Sequence, residues 1–376
     1  HLDGLARRGV QFTRCYAPNP ICSPTRASLM TGLLPHSHGM VDCTHAVPDY
    51  RARLVPDLPF WPRKLQAAGY RTGYFGKWHI ERSNRLENFG FDHYSVADYQ
   101  QLKGLVTVER PLDHRVAVSQ PGYHDFLLSG VVDTPVESTA EYRLYSDGID
   151  FLRQAAAQPD QPWLLCLSSE SPHDPYVALR DYYARIDLEA IAPPAGFDDE
   201  LLDRPGIYRR IQRTWDELEW PDFAQATACY YANCAMLDDQ VGRSLTALDE
   251  LDMRENTIVV YTSDHGDYMG AHRLMLKGAP AFEEAYRVPL IMAGPGIMQG
   301  QTREEIVSLL GLGSTLLSLT DTDPLPTVGR AFDGLLTGQE IAGTWDNEAF
   351  AEFHGQRFFY TQRILWQEQM KYVFNG

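Results

Sequence analysis

The feature that most constrains this chain is a pairing that recurs along it, an amphipathic helical stretch followed at once by a short apolar run. Phe223 to Leu251 has the long amphipathic pattern and leads into Thr257-Ile258-Val259-Val260-Tyr261-Thr262. Leu58 to Ala68 precedes Arg71 to Phe75 in the same way, and Glu141 to Ala156 precedes Trp163 to Leu167. Runs this short and this rich in β-branched or aromatic residues read as buried strands. The repeated order of helix and buried strand predicts an α/β fold, a large mostly parallel mixed sheet sandwiched by helices. Parallel neighbours need crossover helices, and those helices cover both faces. Such sheets place ligands at the carboxyl ends of their strands. The residues immediately after each strand are therefore the ones to read for chemistry.

The remaining punctuation fits this frame. Leu2 to Arg8 is helical in character and Val10 to Tyr16 is a short strand. After the turn Ala17-Pro18-Asn19-Pro20, an apolar run opens at Pro24 and Thr25, continues to Met30 and is closed by Gly32. Proline in a first turn and glycine past the end mark a short helix, with Cys22 at its positive end. A Pro/Gly-rich stretch from Asp323 to Gly338 divides a large α/β unit, 1–322, from 323–376, a linker and the start of a smaller C-terminal subdomain. Strands of that second unit are expected at Glu348 to Phe353 and Lys371 to Phe374. No internal repeat or low-complexity segment interrupts the chain.

A formal charge of −17 argues against an electrostatic nucleic-acid binder, so an anionic substrate has to be met by a local basic pocket. Charged residues interrupt every apolar stretch well short of the roughly 18 residues a membrane span needs, and a soluble protein is expected. The six cysteines, Cys15, Cys22, Cys43, Cys166, Cys229 and Cys234, show no compact metal-ligand spacing. If Cys22 is consumed as a nucleophile, an odd number remains, which leans toward a reducing, cytoplasmic compartment. A periplasmic or secreted protein stays open, because the opening His1-Leu2-Asp3-Gly4 reads like the inside of a domain.

Four segments then carry chemistry. Cys22-Ser23-Pro24-Thr25-Arg26, followed by Thr31-Gly32, opens the short helix, and Gly76-Lys77-Trp78-His79 follows a strand. Ser171-Pro172-His173-Asp174-Pro175 ends the Trp163 strand, and Ser263-Asp264-His265-Gly266 ends the Thr257 strand. Together they resemble the type I, formylglycine-dependent sulfatases of the alkaline phosphatase superfamily, with the signature C-x-P-[ST]-R and then T-G, G-K-W-H, [ST]-P-H-x-P and S-D-H-G. The likeness spans nearly the whole chain, through Arg287-Val288-Pro289-Leu290-Ile291 and Gly294-Pro295-Gly296.

The resemblance implies that a dedicated maturation enzyme oxidises Cys22 to formylglycine, whose hydrate is the nucleophile. It implies that Arg26 reaches back to the hydrate and that Lys77 holds the hydrate and the sulfate oxygens. His79 would take the proton that triggers sulfate release, a role suited to a side chain with a near-neutral pKa. His173 would contact the sulfate or protonate the leaving oxygen, and Lys277 would pair with a sulfate oxygen and the leaving group. Asp264 and His265, with the oxidised Cys22, would bind a divalent cation, Ca²⁺ first on family grounds and Mn²⁺, Mg²⁺ or Zn²⁺ as alternatives. His272 reads as a loop residue rather than a ligand.

Each of these residues also has an ordinary reading: a buried thiol, a surface ion pair, a solvated lysine, a turn-stabilising histidine. The chain departs from the family pattern in two places. Relatives begin with a strand ending in paired aspartates that supply half the metal ligands, and no such segment precedes His1. Leu310-Gly311-Leu312-Gly313-Ser314-Thr315 stands where relatives have D-x-x-P-T. The chain also stops at Gly376, before the C-terminal subdomain would be complete.

The expected activity is hydrolysis of sulfate monoesters, the substrate a sulfated carbohydrate, aryl sulfate or other small ester. Two alternatives stand beside it, a phosphonate monoester or phosphodiester hydrolase of the same superfamily and a catalytically inactive binding scaffold. Tyr50, Tyr123, His124 and Tyr176 are candidates for lining a sugar or aryl pocket. The oligomeric state is left open.

Overall fold

A computed structural model describes residues 1–96, 112–119, 126–339, 344–356 and 358–376. Tyr123 and His124 lie outside the described residues. Val10–Tyr16 (β1) sits inside a five-stranded sheet. It pairs in parallel with Gln301–Arg303 (β10) and Val307–Ser308 (β11), and antiparallel with Arg287–Ala293 (β9), which pairs in turn with Val259–Thr262 (β8). A parallel three-stranded sheet is built from His93–Val96 (β3), Arg71–Gly76 (β2) and Trp163–Ser168 (β6). Asp113–Val118 (β4), Phe126–Val132 (β5) and Tyr176–Leu179 (β7) make a third sheet, and Glu348–Phe353 (β12), Gln362–Gln367 (β13) and Met370–Asn375 (β14) a fourth, fully antiparallel one.

The paired segments read in the sequence become these elements to within a few residues. The helix Trp61–Ala67 precedes β2, Ala140–Ala156 precedes β6, and the 31-residue Trp220–Glu250 precedes β8. The last begins at a reciprocal cap between Glu219 and Asp222, which satisfies two of the backbone donors a helix start leaves free. Antiparallel β9 departs from the parallel pattern. The chain between β8 and β9 holds only short turns of helix, and without a long crossover helix it returns along the neighbouring edge in the opposite direction.

The core lies between these layers. Phe12 packs edge-to-face on Phe332, among Val10, Leu290, Met292 and Leu336, all nearly inaccessible to water. Burying a side chain of this size stabilises the fold by about 1.5–3 kcal/mol. The small β12–β14 sheet packs into a second apolar cluster, where Trp366 stacks on Tyr16 at 4.4 Å and also meets Tyr286. Gly311 has a packing cause: a Cβ there would fall 2.1 Å from the Arg330 carbonyl oxygen, which excludes an aspartate as firmly as any other side chain.

β6 and β8 were expected to be fully buried, yet every residue of both is only partly so. Between them runs a cavity of about 420 Å³ lined by Leu164, Leu165, Val259, Val260, Leu237 and Leu245. Among the described residues β6 pairs only with β2, and β8 only with β9, so both present an unpaired edge. The slot opens toward Asp264, His265, His173 and Lys277. No helix among the described residues is long and apolar enough to cross a membrane.

Candidate active site

The short helix begins at Cys22 itself and runs to Thr31, after an extended Ile21. Gly32, at φ 67°, ends it in the left-handed conformation that glycine adopts without strain, and its amide donates to the Ser28 carbonyl. The approach is fixed by buried Asn19. Its side-chain oxygen accepts from the Ile21 amide at 2.8 Å, its side-chain nitrogen donates to the Glu352 carbonyl at 2.7 Å, and its own carbonyl accepts from Thr25. Strand β12 thus holds the start of the helix in place.

Around Cys22 Sγ, His265 Nε2 stands at 3.1 Å, His173 Nε2 at 3.8 Å and Lys77 Nζ at 3.8 Å. The contact with Cys43 and the charges of Lys277 and Lys77 outweigh burial and hold the Cys22 thiol well below its ordinary range. This sulfur marks the place where the hydrate oxygens of an oxidised side chain would sit.

The positive groups come from separate segments of the chain. Lys77, just past β2, donates to Glu170 Oε1 at 3.1 Å. Burial works against its charge, but Cys22 and Glu170 together push its pKa up, so it stays protonated. Lys277 meets His173 Nε2 and lies 3.5 Å from Asp174 Oδ1. His173 turns Nδ1 to the Asp174 carbonyl oxygen at 2.7 Å and to its carboxylate at 3.1 Å. Burial disfavours the imidazolium, and Asp174 overcomes that and raises the His173 pKa.

Arg26 is held by several strand ends at once. Its hydrogen bonds go to the Trp78 carbonyl at 2.8 Å, Asp264 Oδ2 at 3.1 Å, the Tyr74 hydroxyl at 2.7 Å, and to Lys77 O and Ser168 Oγ. It faces Cys22 with its charge while its donors tie together the ends of β2, β6 and β8. An arginine one turn into the helix lies beneath the nucleophile, and these carbonyls are nearer than Cys22.

His79 is set in the left-handed region at φ 53°, with its ring parallel to that of His45 and Nε2 3.1 Å from His45 Nδ1. Burial lowers its pKa, which favours the neutral, proton-accepting imidazole. On the opposite side, Asp264 Oδ1 lies 3.6 Å from His265 Nε2, and His265 Nδ1 is 2.9 Å from the Gly266 carbonyl oxygen. Burial opposes its ionised form, but His265 and Arg26 hold the Asp264 carboxyl well below the usual carboxylate range. At Gly266 a Cβ would lie 1.8 Å from the Glu284 carbonyl oxygen, so only glycine lets this loop close on the helical turn Glu283–Tyr286 that leads into β9.

These donors fit a divalent cation: an ionised carboxylate and an imidazole face position 22, and Cys22, His173 and His265 offer ligand atoms within 4.8 Å of one another. His272 instead pairs with Asp199 at 2.9 Å and stacks on Phe282, as a loop residue would. Tyr176 is wholly buried with its hydroxyl on Asp267, while Tyr50 is 76% exposed.

Sequence reading missed Glu170, Asp174, Asn19, Cys43 and His45. The signal for two of them was present: Asp174 lies inside the His-x-Pro segment, and Glu170 is the second residue past β6. Nothing local marks the others, which arrive through tertiary folding.

The Sulfatase family model matches residues 1–322. The chain is 29% identical to the uncharacterized sulfatase YidJ of Escherichia coli K12, over 86% of this chain and 63% of that protein. It is 30% identical to a choline-sulfatase of Rhizobium meliloti, over 80% and 58%. The chain therefore spans about 60% of the length of these curated relatives. Among solved structures, a phosphonate monoester hydrolase from Silicibacter pomeroyi shares the fold with a TM-score of 0.78 at 23% identity, covering 100% of this chain and 81% of that one. Another, solved with D-glucosamine-2-N,6-O-disulfate, has a TM-score of 0.74 at 21% identity and covers 99% and 82%.

Proposed function

The chain belongs to the sulfatase family, sulfuric ester hydrolases with the alkaline phosphatase-like fold, and on that premise we propose that it cleaves the S–O bond of sulfate monoesters at Cys22. The observation that carries the reading is the convergence of His265, His173 and Lys77 on Cys22 Sγ within 3.8 Å, from three separate strand ends. As formylglycine hydrate, made by a maturation enzyme, position 22 supplies two hydroxyls on one carbon, one to attack sulfur and one to expel sulfate.

Lys77 and Lys277 neutralise the sulfate oxygens in a site where burial keeps water from screening them. His173, oriented by Asp174, which also raises its pKa, hands a proton to the departing alcohol oxygen. His79, neutral, accepts the proton whose removal lets sulfate leave. Asp264 and His265 would hold a divalent cation, Ca²⁺ first, that polarises the ester. Arg26 acts through Asp264 and the strand ends as a positioning residue.

The substrate is a small or saccharide sulfate ester. The test measures kcat/KM of matured protein on sulfated sugars, aryl sulfates, choline sulfate and an aryl phosphonate ester, with Cys22→Ala as control. Sulfate-ester turnover that disappears in Cys22→Ala is expected. Activity retained in that variant rejects the nucleophile, and a higher kcat/KM on the phosphonate ester favours the sister activity that the fold also hosts. A matured, metal-loaded chain inert on the whole panel points to a silent scaffold.

A further inference from the structure

His79, the base of the proposed reaction, has a partner that none of the four sequence segments contains. His45 Nδ1 lies 3.1 Å from His79 Nε2, the two ring planes differ by 5°, and the ring centroids are 5.3 Å apart. The centroid separation exceeds the nitrogen separation by about two ring radii, so the rings meet edge to edge in nearly one plane rather than face to face. An imidazole N–H and an imidazole lone pair both point outward in the ring plane, and the contact is therefore an aligned hydrogen bond. The loop that carries His45 is pinned on two sides. Arg82, which follows His79 closely, donates to the Thr44 carbonyl at 3.1 Å and the Val47 carbonyl at 2.7 Å, and the Thr44 amide donates to Ser23 Oγ at 3.1 Å.

The other nitrogen of His79 is in a different state. Nδ1 is buried and has no hydrogen-bond partner among the described residues. A neutral imidazole carries one N–H and one lone pair, so the bond to His45 decides what Nδ1 can do. If Nε2–H donates to His45 Nδ1, the lone pair falls on His79 Nδ1. Either assignment leaves Nδ1 unpaired, but only this one leaves it able to accept a proton.

We infer that His45 is a positioning residue for the proposed hydrolysis, holding His79 as the Nε2–H tautomer and sharing the charge when Nδ1 takes up a proton, as a third group does for a catalytic histidine. The inference rests on the sulfatase reading, in which His79 removes the proton that triggers sulfate release. In that step the O–H bond at position 22 breaks and its proton passes to His79 Nδ1. The freed electron pair forms the C=O bond as the C–O bond to sulfate breaks, and that bond's pair leaves with sulfate. Attack on sulfur and loss of the alcohol come earlier and do not use this proton, so His45 bears on one late step.

The experiment compares matured wild type, His45→Leu and His45→Asn on an aryl sulfate. His45 is exposed, so neither change opens the core. His45→Leu should lower kcat about 10–10²-fold and KM with it, leaving kcat/KM within about threefold, because kcat/KM reports only the steps through alcohol release. A burst of one equivalent of the phenol should precede the slowed steady state. His45→Asn keeps an acceptor near the place of Nδ1 and should recover most of the loss. An unchanged kcat in His45→Leu, or equal falls in kcat and kcat/KM, would overturn the proposal. Independently of turnover, nitrogen-15 spectra of histidine-labelled protein should show the His79 proton on Nε2 in wild type, and a proton on Nδ1 would overturn the proposal too. A wild type inert on every ester but with His79 protonated on Nε2 would count against the hydrolase reading and for the pairing, so the two failures are distinguishable.

Discussion

Two buried charge clusters in this molecule look alike and are satisfied very differently. Around Cys22, the lysines at 77 and 277 crowd toward one sulfur, and Glu170, which answers one of them, keeps its Oε2 without a hydrogen-bond partner. About Glu352 the sign is reversed and the carboxylate is ringed by donors, although His354 Nε2 in that ring makes no aligned hydrogen bond. Its carboxylate, 1% exposed, accepts from the His36 amide at 2.6 Å and meets the His36 ring at 2.9 Å, His354 Nε2 at 3.2 Å and Arg363 Nε at 3.4 Å. A buried network with its valences filled holds a structure together, whereas one that keeps charge unspent and aimed at a single atom is strained toward a ligand. The first should therefore respond to substitution in rate and the second in stability.

The largest expected effect tests that division in the cleft. Lys77→Met keeps most of the volume and removes the charge, and kcat/KM on a sulfate ester should fall about 10²–10³-fold, as for loss of one preorganised group facing developing negative charge. The thermal midpoint should fall only modestly, because the charge that Cys22 and Glu170 stabilise is lost while Glu170, 40% exposed, can turn to water. Steady-state kinetics and a melting curve on one preparation decide it; an unfolded variant would erase the distinction between the clusters.

Glu352→Gln should do the opposite. Removing the charge leaves His354 and Arg363 facing a neutral amide, which costs about 3 kcal/mol as for a broken buried pair. The backbone carbonyl that holds Asn19 is untouched, so kcat/KM of the folded fraction should stay within about threefold. Burial pushes the Glu352 carboxyl up, but His354 and His36 outweigh it and bring it down to about 2, against about 4.3 for an unfolded glutamate. A pKa depressed on folding gives stability that is present above the unfolded value and lost as pH falls through the folded one. The gap in unfolding free energy between wild type and Glu352→Gln should be constant above about pH 5 and shrink toward pH 2. A gap that does not change with pH in denaturant titrations would remove the electrostatic account.

The two clusters also differ in how far the sequence announces them. The cleft residues sit in short segments directly after strands, where an α/β sheet gathers its ligands, so Cys22, Lys77, His173 and Asp264 could be read before folding. The bonds of Arg26 to carbonyls past β2 were not legible, since spacing along one helix says nothing of segments arriving from another strand. Glu352, Asn19 and Cys43 have no local signature: each acquires its role from a segment tens or hundreds of residues away, as Glu352 does from His36. The helix-strand pairs were legible because periodicity is local, while the direction of β9 and the open edges of β6 and β8 depend on pairing between distant segments.

The smallest effect sharpens the comparison most. The His36 side chain is 56% exposed and touches Glu352 from the solvent side, so water already screens much of what it contributes. His36→Ala should cost only about 1 kcal/mol, a typical net hydrogen bond, because the His36 amide, His354 and Arg363 still satisfy the carboxylate. With one depressing partner gone, the folded Glu352 pKa rises toward its ordinary value, and the acid loss of stability shifts to higher pH with a smaller amplitude. A filled network should absorb the loss of one exposed member, whereas the unspent cleft should not absorb the loss of Lys77. If acid titration of His36→Ala instead matches Glu352→Gln in cost, the network has no such redundancy and its contrast with the cleft fails.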